Sequence, residues 1–167
     1  FNAFGLIDGR GTMLRGFDLL EVAEFSEGLA FARDRDGRGY LGTDGAWAFR
    51  ADVLEGAEFS QGLAAVRAPT GRYGYLDPRG RMTIAAQFDG VDQFSEGLAA
   101  VRIDDYWGYV DRAGRLVVPV AYDHAFEFVH GLALVGTGDT FDYIDRRGRV
   151  VMSNVCDPDD VTPSTIC

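Results

Sequence analysis

Apolar positions in this chain fall into short runs, and each run is bounded by a turn rich in Gly, Asp or Arg. Residues 98–102 (Leu-Ala-Ala-Val-Arg) and 115–119 (Arg-Leu-Val-Val-Pro) are typical examples. Runs that are short, β-branched or aromatic, and bounded by turn residues indicate β-strands. No segment keeps the 3.6-residue spacing of an amphipathic helix. The pattern therefore predicts an all-β protein.

One phrase recurs four times along the chain. Phe-Ser-Glu-Gly-Leu-Ala at residues 25–30 returns at 59–64 with Gln for Glu, at 94–99 unchanged, and at 128–133 as Phe-Val-His-Gly-Leu-Ala. Its glycines, at positions 28, 62, 97 and 131, give periods of 34, 35 and 34 residues. Self-similarity at such a period is the signature of a tandem-repeat architecture. We expect the Phe and Leu of each copy to be core residues.

A second phrase, an aromatic residue followed by Gly, opens each hairpin. It occurs at residues 4–8, 73–77 and 107–111, at 141–145 with Asp142 in place of the Gly, and as a degraded copy at 38–42. The well-preserved copies end in Asp, and a Gly follows three positions later. An Asp carboxylate accepts the backbone N–H two residues on, and Gly adopts the left-handed conformation that completes the turn. These aspartates are therefore predicted to be turn residues and not a catalytic series.

Together the phrases define a unit of about 34 residues that reads as a three-stranded β-meander. About four and a half such units occupy residues 1–152, and residues 153–167 form a tail outside the repeat. We predict an open solenoid or superhelical stack of these units. The alternative is a closed, propeller-like ring in which the first and last parts of the chain share one sheet.

The spaced elements Trp107-Gly108-Tyr109-Val110-Asp111, Tyr122-Asp123 and the Phe-Ser-Glu-Gly-Leu-Ala phrase resemble the WG repeat family of bacterial β-rich repeats. The resemblance covers roughly residues 4–152, although the tryptophan of the motif is kept only at Trp107. It implies an exported or envelope-associated protein whose function is protein binding. It implies no catalytic or cofactor residue.

Net charge and cysteine content limit the classes of partner and the cellular compartments that fit this sequence. The net charge of −10 disfavours nucleic acid, which requires a positive surface, and favours a basic protein partner. No apolar run approaches the ~20 residues of a membrane span. Cys156 and Cys167 flank a short tail loop, and a disulfide between them would suit a periplasmic or cell-envelope location. The alternative is two free thiols in a cytoplasmic protein.

Motifs for chemistry are missing from the sequence. There is no nucleophile elbow, no His-Glu-x-x-His and no phosphate-cradling Gly loop, so we expect neither an enzyme nor a cofactor. His124 and His130 are too few ligands for a metal site. Asp157, Asp159 and Asp160 lack the ligand spacing of a calcium loop.

Acidic residues precede each Gly-Leu-Ala strand, whereas arginines occupy the Asp-x-x-Gly turns, so stacked units should have an acidic edge opposite basic tips. We predict that the acidic edge binds a basic partner protein, for example as an inhibitor or immunity protein against a bacterial toxin. The candidate residues are Glu21, Glu24, Asp52, Glu55, Glu58, Asp89, Asp92, Asp123 and Glu127. One alternative is an envelope glycan-binding module that uses Tyr73, Trp107 and Phe141 as stacking platforms; another is a structural spacer.

Overall fold

A computed structural model describes residues 3–155, with side chains described through residue 153. Within that range the chain forms β-strands and turns and no helix, which confirms the all-β prediction. The strands are β1 Phe4–Ile7, β2 Met13–Leu19, β3 Glu21–Val22, β4 Leu29–Arg33, β5 Arg38–Gly42, β6 Trp47–Arg50, β7 Glu55–Ser60, β8 Leu63–Arg67, β9 Tyr73–Leu76, β10 Met82–Phe88, β11 Gly90–Val91, β12 Leu98–Ile103, β13 Tyr106–Asp111, β14 Leu116–Tyr122, β15 His124–Ala125, β16 Leu132–Thr137, β17 Thr140–Asp145 and β18 Val150–Val155.

The strands form separate antiparallel sheets in which each strand pairs with its neighbours in sequence. The first sheet is the hairpin β1-β2, and the others are β3 to β6, β7 to β10, β11 to β14 and β15 to β18. The predicted three-stranded meander is thus joined by a further strand on the incoming side, only two residues long in β3, β11 and β15. Each sheet in the described chain stays open and none closes into a barrel, as expected for an open stack.

The chain divides into two compact units, Phe1–Gln87 and Phe88–Cys167. The first unit contains the opening hairpin and the next two sheets, and the second contains the last two sheets. Each unit has its own apolar core between consecutive sheets. Tyr40, Phe59 and Val66 belong to a core cluster of the first unit, and Tyr109 and Phe128 to that of the second.

The Phe-Ser-Glu-Gly phrase forms a tight turn before each Gly-Leu-Ala strand. In the first copy the Ser26 and Leu29 backbones exchange two hydrogen bonds of 2.9 and 3.0 Å. Glu27 and Gly28 between them both have positive φ, at 50° and 83°. Two central residues with positive φ define a type I′ turn, whose twist matches that of the flanking strands. Gln61, Glu96 and His130 also have positive φ, so the left-handed non-Gly residue recurs at every copy.

The same turns connect consecutive sheets. The Ser26 hydroxyl donates to the Phe59 carbonyl at 2.6 Å, and the Glu27 carboxylate accepts the Gly62 N–H at 2.8 Å. In the second unit Ser95 and Glu96 make the equivalent bonds, at 2.7 Å to the Phe128 carbonyl and 2.8 Å from the Gly131 N–H. Within each unit, the Ser-Glu pair of the phrase therefore holds one sheet to the next in addition to starting a strand.

The Asp-x-x-Gly turns have the predicted chemistry. Asp111 Oδ1 accepts the backbone N–H groups of Ala113 at 2.9 Å and Arg115 at 3.0 Å. Asp111 Oδ2 accepts from the Arg115 side chain at 2.7 Å. These bonds to Arg115 hold the pKa of the Asp111 carboxyl below its usual value. The same backbone bonds occur at Asp8, Asp77 and Asp145. The prediction that these aspartates are turn residues is confirmed.

The Gly that follows the aromatic residue is required by a close approach of two backbones. Opposite Gly108 the ladder between β13 and β14 is irregular, because Trp107 pairs with Tyr122 while Tyr109 pairs with Val118. A Cβ atom at Gly108 would lie 2.6 Å from the Val118 carbonyl oxygen. The extra residues in β14 therefore leave no room for a side chain.

The core prediction for the repeated Phe holds for three copies and is wrong for one. Phe59, Phe94 and Phe128 are buried, but Phe25 is 41 % exposed. Phe59 packs edge-on against the Tyr40 ring, 5.0 Å between centroids. The equivalent position in the first hairpin holds the shorter Leu6, and that hairpin has two strands within residues 3–155. Phe25 therefore lacks the cover that its equivalents receive.

Candidate functional site

The predicted acidic residues differ in how they are held. Glu21 forms an ion pair with Arg33 and Glu55 forms one with Arg67, both at 3.3 Å. Asp89 Oδ2 accepts the Asp104 N–H at 2.9 Å, and Asp123 Oδ2 accepts the Gly138 N–H at 2.7 Å. Asp92 Oδ1 accepts the N–H of Gln93 at 2.8 Å. These carboxylates have bonds that organise their own sheets.

The other four candidates are free. Within the described chain their exposed carboxylates make no hydrogen bond or ion pair, and we call this set the free carboxylates: Glu24, Asp52, Glu58 and Glu127. Glu24, Glu58 and Glu127 each stand immediately before the repeated Phe. Asp52 lies at the rim of an open groove of about 450 Å³ that is also lined by Arg38 and Arg50.

Charge separation between the two ends of the sheets is weaker than the sequence suggested. Leu98, which follows the Phe-Ser-Glu-Gly turn, pairs with Asp111, which begins the Arg-rich turn. Both kinds of turn therefore lie at the same end of a sheet. Glu96 accordingly contacts Arg146 at 3.0 Å. The acidic segment nevertheless starts at the opposite end of the sheet, where Gly90 pairs with Arg102, so the separation of an acidic edge from basic tips stays a prediction.

The aromatic rings considered for glycan stacking are covered by their own sheets. Phe141 is 7 % exposed, and His124 stacks on it at 6.0 Å. Arg67 lies over the Tyr73 ring at 5.7 Å and Arg102 lies over Trp107 at 5.9 Å. A sugar would have to displace these side chains in order to stack on the rings.

Sequence reasoning missed a buried ion-pair cluster in the first unit. Asp34, between β4 and β5, is 9 % exposed and is a buried charged residue of the described chain. Its carboxylate accepts two hydrogen bonds from Arg50, at 2.9 and 2.6 Å, and lies 3.6 Å from Arg15. It also accepts the N–H groups of Asp36 and Gly37. The Arg50 bonds outweigh the cost of burial and lower the pKa of Asp34 to about 2.

The cluster replaces apolar packing at an equivalent position of the repeat. Arg15 pairs with Leu6, as Phe49 pairs with Tyr40 and Val118 with Tyr109. Arg15 thus occupies a position that is apolar in those other sheets. The sequence signal that could have revealed the cluster is Arg15, a charged residue at a repeat position that is apolar in the other copies. The arrangement positions strands and has no open group for chemistry.

Residues 3–155 contain no group of three or more His, Cys, Asp or Glu side chains placed to hold a metal ion. They also contain no helix that could span a membrane. The proposed Cys156 to Cys167 disulfide, and the candidate calcium ligands Asp157, Asp159 and Asp160, lie outside the described residues.

Several solved structures resemble this fold at low sequence identity. The computationally designed Ika8 protein superposes with a TM-score of 0.55 at 14 % identity, over 86 % of this chain and 52 % of its own. BamB from Moraxella catarrhalis gives 0.54 at 15 %, over 86 % and 53 %. The designed Ika4 protein gives 0.50 at 16 %, over 76 % and 90 %. The chain therefore spans about half the length of Ika8 and BamB, and the likeness concerns the fold alone.

No curated protein matches the sequence. A family model, the WG containing repeat, matches residues 73–107 and 107–141. The two matches abut at Trp107, so they reproduce the repeat period and the register given by the aromatic-Gly phrase. Residues 73–141 therefore match two successive copies of the WG containing repeat.

Proposed function

We propose that this chain is a non-catalytic protein-binding repeat module that uses the free carboxylates to engage a basic partner protein. The observation that carries the proposal is their recurrence. An exposed, unpaired Glu stands directly before the repeated Phe at Glu24, Glu58 and Glu127, while neighbouring Glu21 and Glu55 are paired within their own sheets. Repeat proteins bind their partners through extended surfaces to which successive repeats contribute.

The expected contribution of such charges is mainly kinetic. Each exposed carboxylate paired with a partner's Arg or Lys contributes about 0.2–1 kcal/mol, because solvent and salt screen the interaction. Complementary charge chiefly raises the association rate and fixes the orientation of the encounter. The chain's net charge of −10 adds a long-range attraction for a basic surface.

In its most specific form, the partner is a basic bacterial toxin, and the chain is an inhibitor or immunity protein acting in the periplasm or cell envelope after export. The net charge of −10 and the repeat fold support this form. Glycan binding is the weaker alternative because Phe141 is buried and Arg67 and Arg102 cover the other two candidate rings.

The first experiment is affinity capture from the native organism followed by mass spectrometry, which should identify a basic protein. Association rates are then measured as NaCl is raised to about 0.5 M, where the Debye length falls below about 5 Å. We expect the rate to fall steeply with salt. The double variant Glu24→Gln/Glu58→Gln should lower it several-fold at low salt.

The matched control is Glu21→Gln/Glu55→Gln, which removes the same charge from the same unit at positions already paired with Arg33 and Arg67. It should slow association less than the free-carboxylate variant. Equal effects of the two double variants would show that net charge, and not the free carboxylates, governs binding. A salt-independent association rate would refute electrostatic steering altogether.

A further inference from the structure

The sheet formed by β3 to β6 has an open groove at the end where β4 and β5 are joined. Its volume of about 450 Å³ lies within the range of small-ligand pockets. All of the lining residues belong to the first compact unit. They are Asp36, Gly37, Arg38, Arg50 and residues 51–53.

Arg38 stands where the repeat elsewhere has an aromatic ring. It pairs with Arg33 across β4 and β5, whereas Trp107 pairs with Arg102 in the equivalent place of a later sheet. In that sheet the arginine lies over the indole ring, 5.9 Å from its centroid. Here two arginines stand opposite each other, and like charges in directly opposed positions of a sheet are destabilising.

Nothing within the described chain offsets this cost for Arg38. Arg33 forms an ion pair with Glu21 at 3.3 Å. Arg38 is half-buried, and its guanidinium makes no hydrogen bond, ion pair or ring contact within residues 3–155. A guanidinium can bind a carboxylate through two parallel N–H groups. The groove therefore contains a cationic donor group with open positions.

Arg50 gives the groove a fixed wall and not a second open cation. Its guanidinium donates hydrogen bonds of 2.9 and 2.6 Å to Asp34 and lies over the Trp47 ring, 3.7 Å from the centroid. The remaining lining is partly aliphatic. Val53 is 4 % exposed, and Ala51 packs against the same core cluster. The groove thus combines a charged wall with an apolar one.

Asp36 and Asp52 bring two carboxylates to the same groove. Neither carboxylate has a hydrogen bond or an ion pair in the part of the chain that the structure describes. Since Asp34 offsets the charge of Arg50, the open groups are the cation of Arg38 and these two anions. The aspartates would repel a simple anion, and Arg38 would repel a simple cation. A ligand that carries both charges fits the groove.

We propose that this groove binds a small zwitterion, namely a free α-amino acid with an aliphatic side chain. The ligand's carboxylate pairs with Arg38, and its ammonium group pairs with Asp36 and Asp52. Its side chain lies against Ala51 and Val53. Because this ligand has no net charge and is not a protein, the inference does not depend on the basic partner proposed above.

The probe is L-leucine, titrated into the ¹⁵N-labelled full chain at neutral pH. We expect the largest amide shifts at residues 36–38 and 50–53. N-acetyl-L-leucine lacks the ammonium group and L-leucinamide lacks the carboxylate. Each analogue should bind about fivefold or more weakly than L-leucine, because one charged contact is lost.

Substitutions connect each charge of the ligand to its partner. Arg38→Gln should weaken L-leucine binding about fivefold or more. Arg35→Gln is the matched control, because Arg35 is an exposed arginine of the same turn that does not line the groove. It should bind L-leucine as the unmodified chain does. Asp36→Asn should weaken L-leucine but not N-acetyl-L-leucine, which has no ammonium group.

Arg38→Tyr separates binding from folding. It places an aromatic ring opposite Arg33, as Tyr73 lies opposite Arg67 in the next sheet. The variant should unfold at the same urea concentration as the unmodified chain or at a higher one, because the opposed like charges are removed. It should nevertheless lose L-leucine binding, because the carboxylate has no partner.

Three results would overturn the proposal. One is the absence of amide shifts in the groove with L-leucine at up to about 50 mM. Another is equal binding of L-leucine and its two blocked analogues, which would show that the groove does not recognise the two charges. The third is an Arg38→Tyr variant that is less stable than the unmodified chain, because Arg38 would then serve the fold and not a ligand.

Discussion

Replacing Asp34 with Asn tests whether the buried cluster in the first unit stabilises the fold by its charge. The substitution keeps the size of the side chain and its Oδ1 acceptor for the nearby N–H groups. It replaces Oδ2, which lies 2.6 Å from Arg50, with an amide NH₂ that would face another donor. Arg15, whose side chain is 15 % exposed, would also lose a nearby negative charge at 3.6 Å.

The expected loss of stability can be worked out from the pKa of Asp34. The pKa of Asp34 is lowered from 3.8 to about 2 in the folded chain, mainly by hydrogen bonds from Arg50. At about 1.36 kcal/mol per pKa unit, ionised Asp34 stabilises the fold by about 2 kcal/mol at pH 7. Because the folded pKa is the lower one, this stabilisation is complete above the unfolded pKa. It is lost as pH falls through about 2, with roughly half remaining at pH 3.

Urea unfolding followed by tryptophan fluorescence measures the free energy of unfolding of both proteins at pH 7 and pH 3. Asp34→Asn should be about 2 kcal/mol less stable at pH 7, and this difference should halve at pH 3. Asp36→Asn, at an exposed position in the same turn, should change stability by less than about 0.5 kcal/mol. A difference between Asp34→Asn and the unmodified chain that is equally large at both pH values would refute the electrostatic explanation.

Two further substitutions test the repeat packing in the second unit. Gly108→Ala should lower the free energy of unfolding in urea by about 1–3 kcal/mol, because its Cβ would lie 2.6 Å from the Val118 carbonyl oxygen. The control Gly16→Ala, whose Cβ would have nothing within 4 Å, should leave the stability unchanged. Equal effects of the two variants would contradict the close approach at Gly108. Tyr109→Phe should cost about 1–2 kcal/mol, because it leaves the Phe126 carbonyl, now bonded to the hydroxyl at 2.7 Å, without a partner. A stability unchanged by Tyr109→Phe would show that this carbonyl is otherwise satisfied.

Features with local causes could be predicted from the sequence. The Asp111 turn depends on bonds that reach only to Ala113 and Arg115, so the spacing of Asp and Gly was sufficient to recognise it. The strand predicted to open with Gly-Leu-Ala is observed as Leu98–Ile103. The short strands, such as Glu21–Val22, have no signature of their own, because two residues cannot show a period.

Features that depend on neighbouring strands could not be predicted. Glu21 is neutralised by Arg33, which lies twelve positions away across a strand pair, and the register was needed to see it. The cluster of Asp34 and Arg50 arises in the second repeat, where the motif is degraded and alignment with other copies gives no guidance. Phe25 matches the repeated phrase in sequence, yet whether it is buried depends on strands of the neighbouring sheet.

The Ser-Glu pairs at Ser26-Glu27 and Ser95-Glu96 also affect how the repeats unfold. Glu27 and Glu96 hold left-handed backbone conformations that cost of order 1 kcal/mol or more in a non-Gly residue. Their carboxylates accept N–H groups of the following sheet, so that cost is offset only while the neighbour is folded. When one sheet unfolds, the turn before it loses the hydrogen bond that offsets the cost of its left-handed conformation. The stability of each repeat within a unit therefore depends on its neighbour. Neighbouring repeats should unfold together and not one at a time.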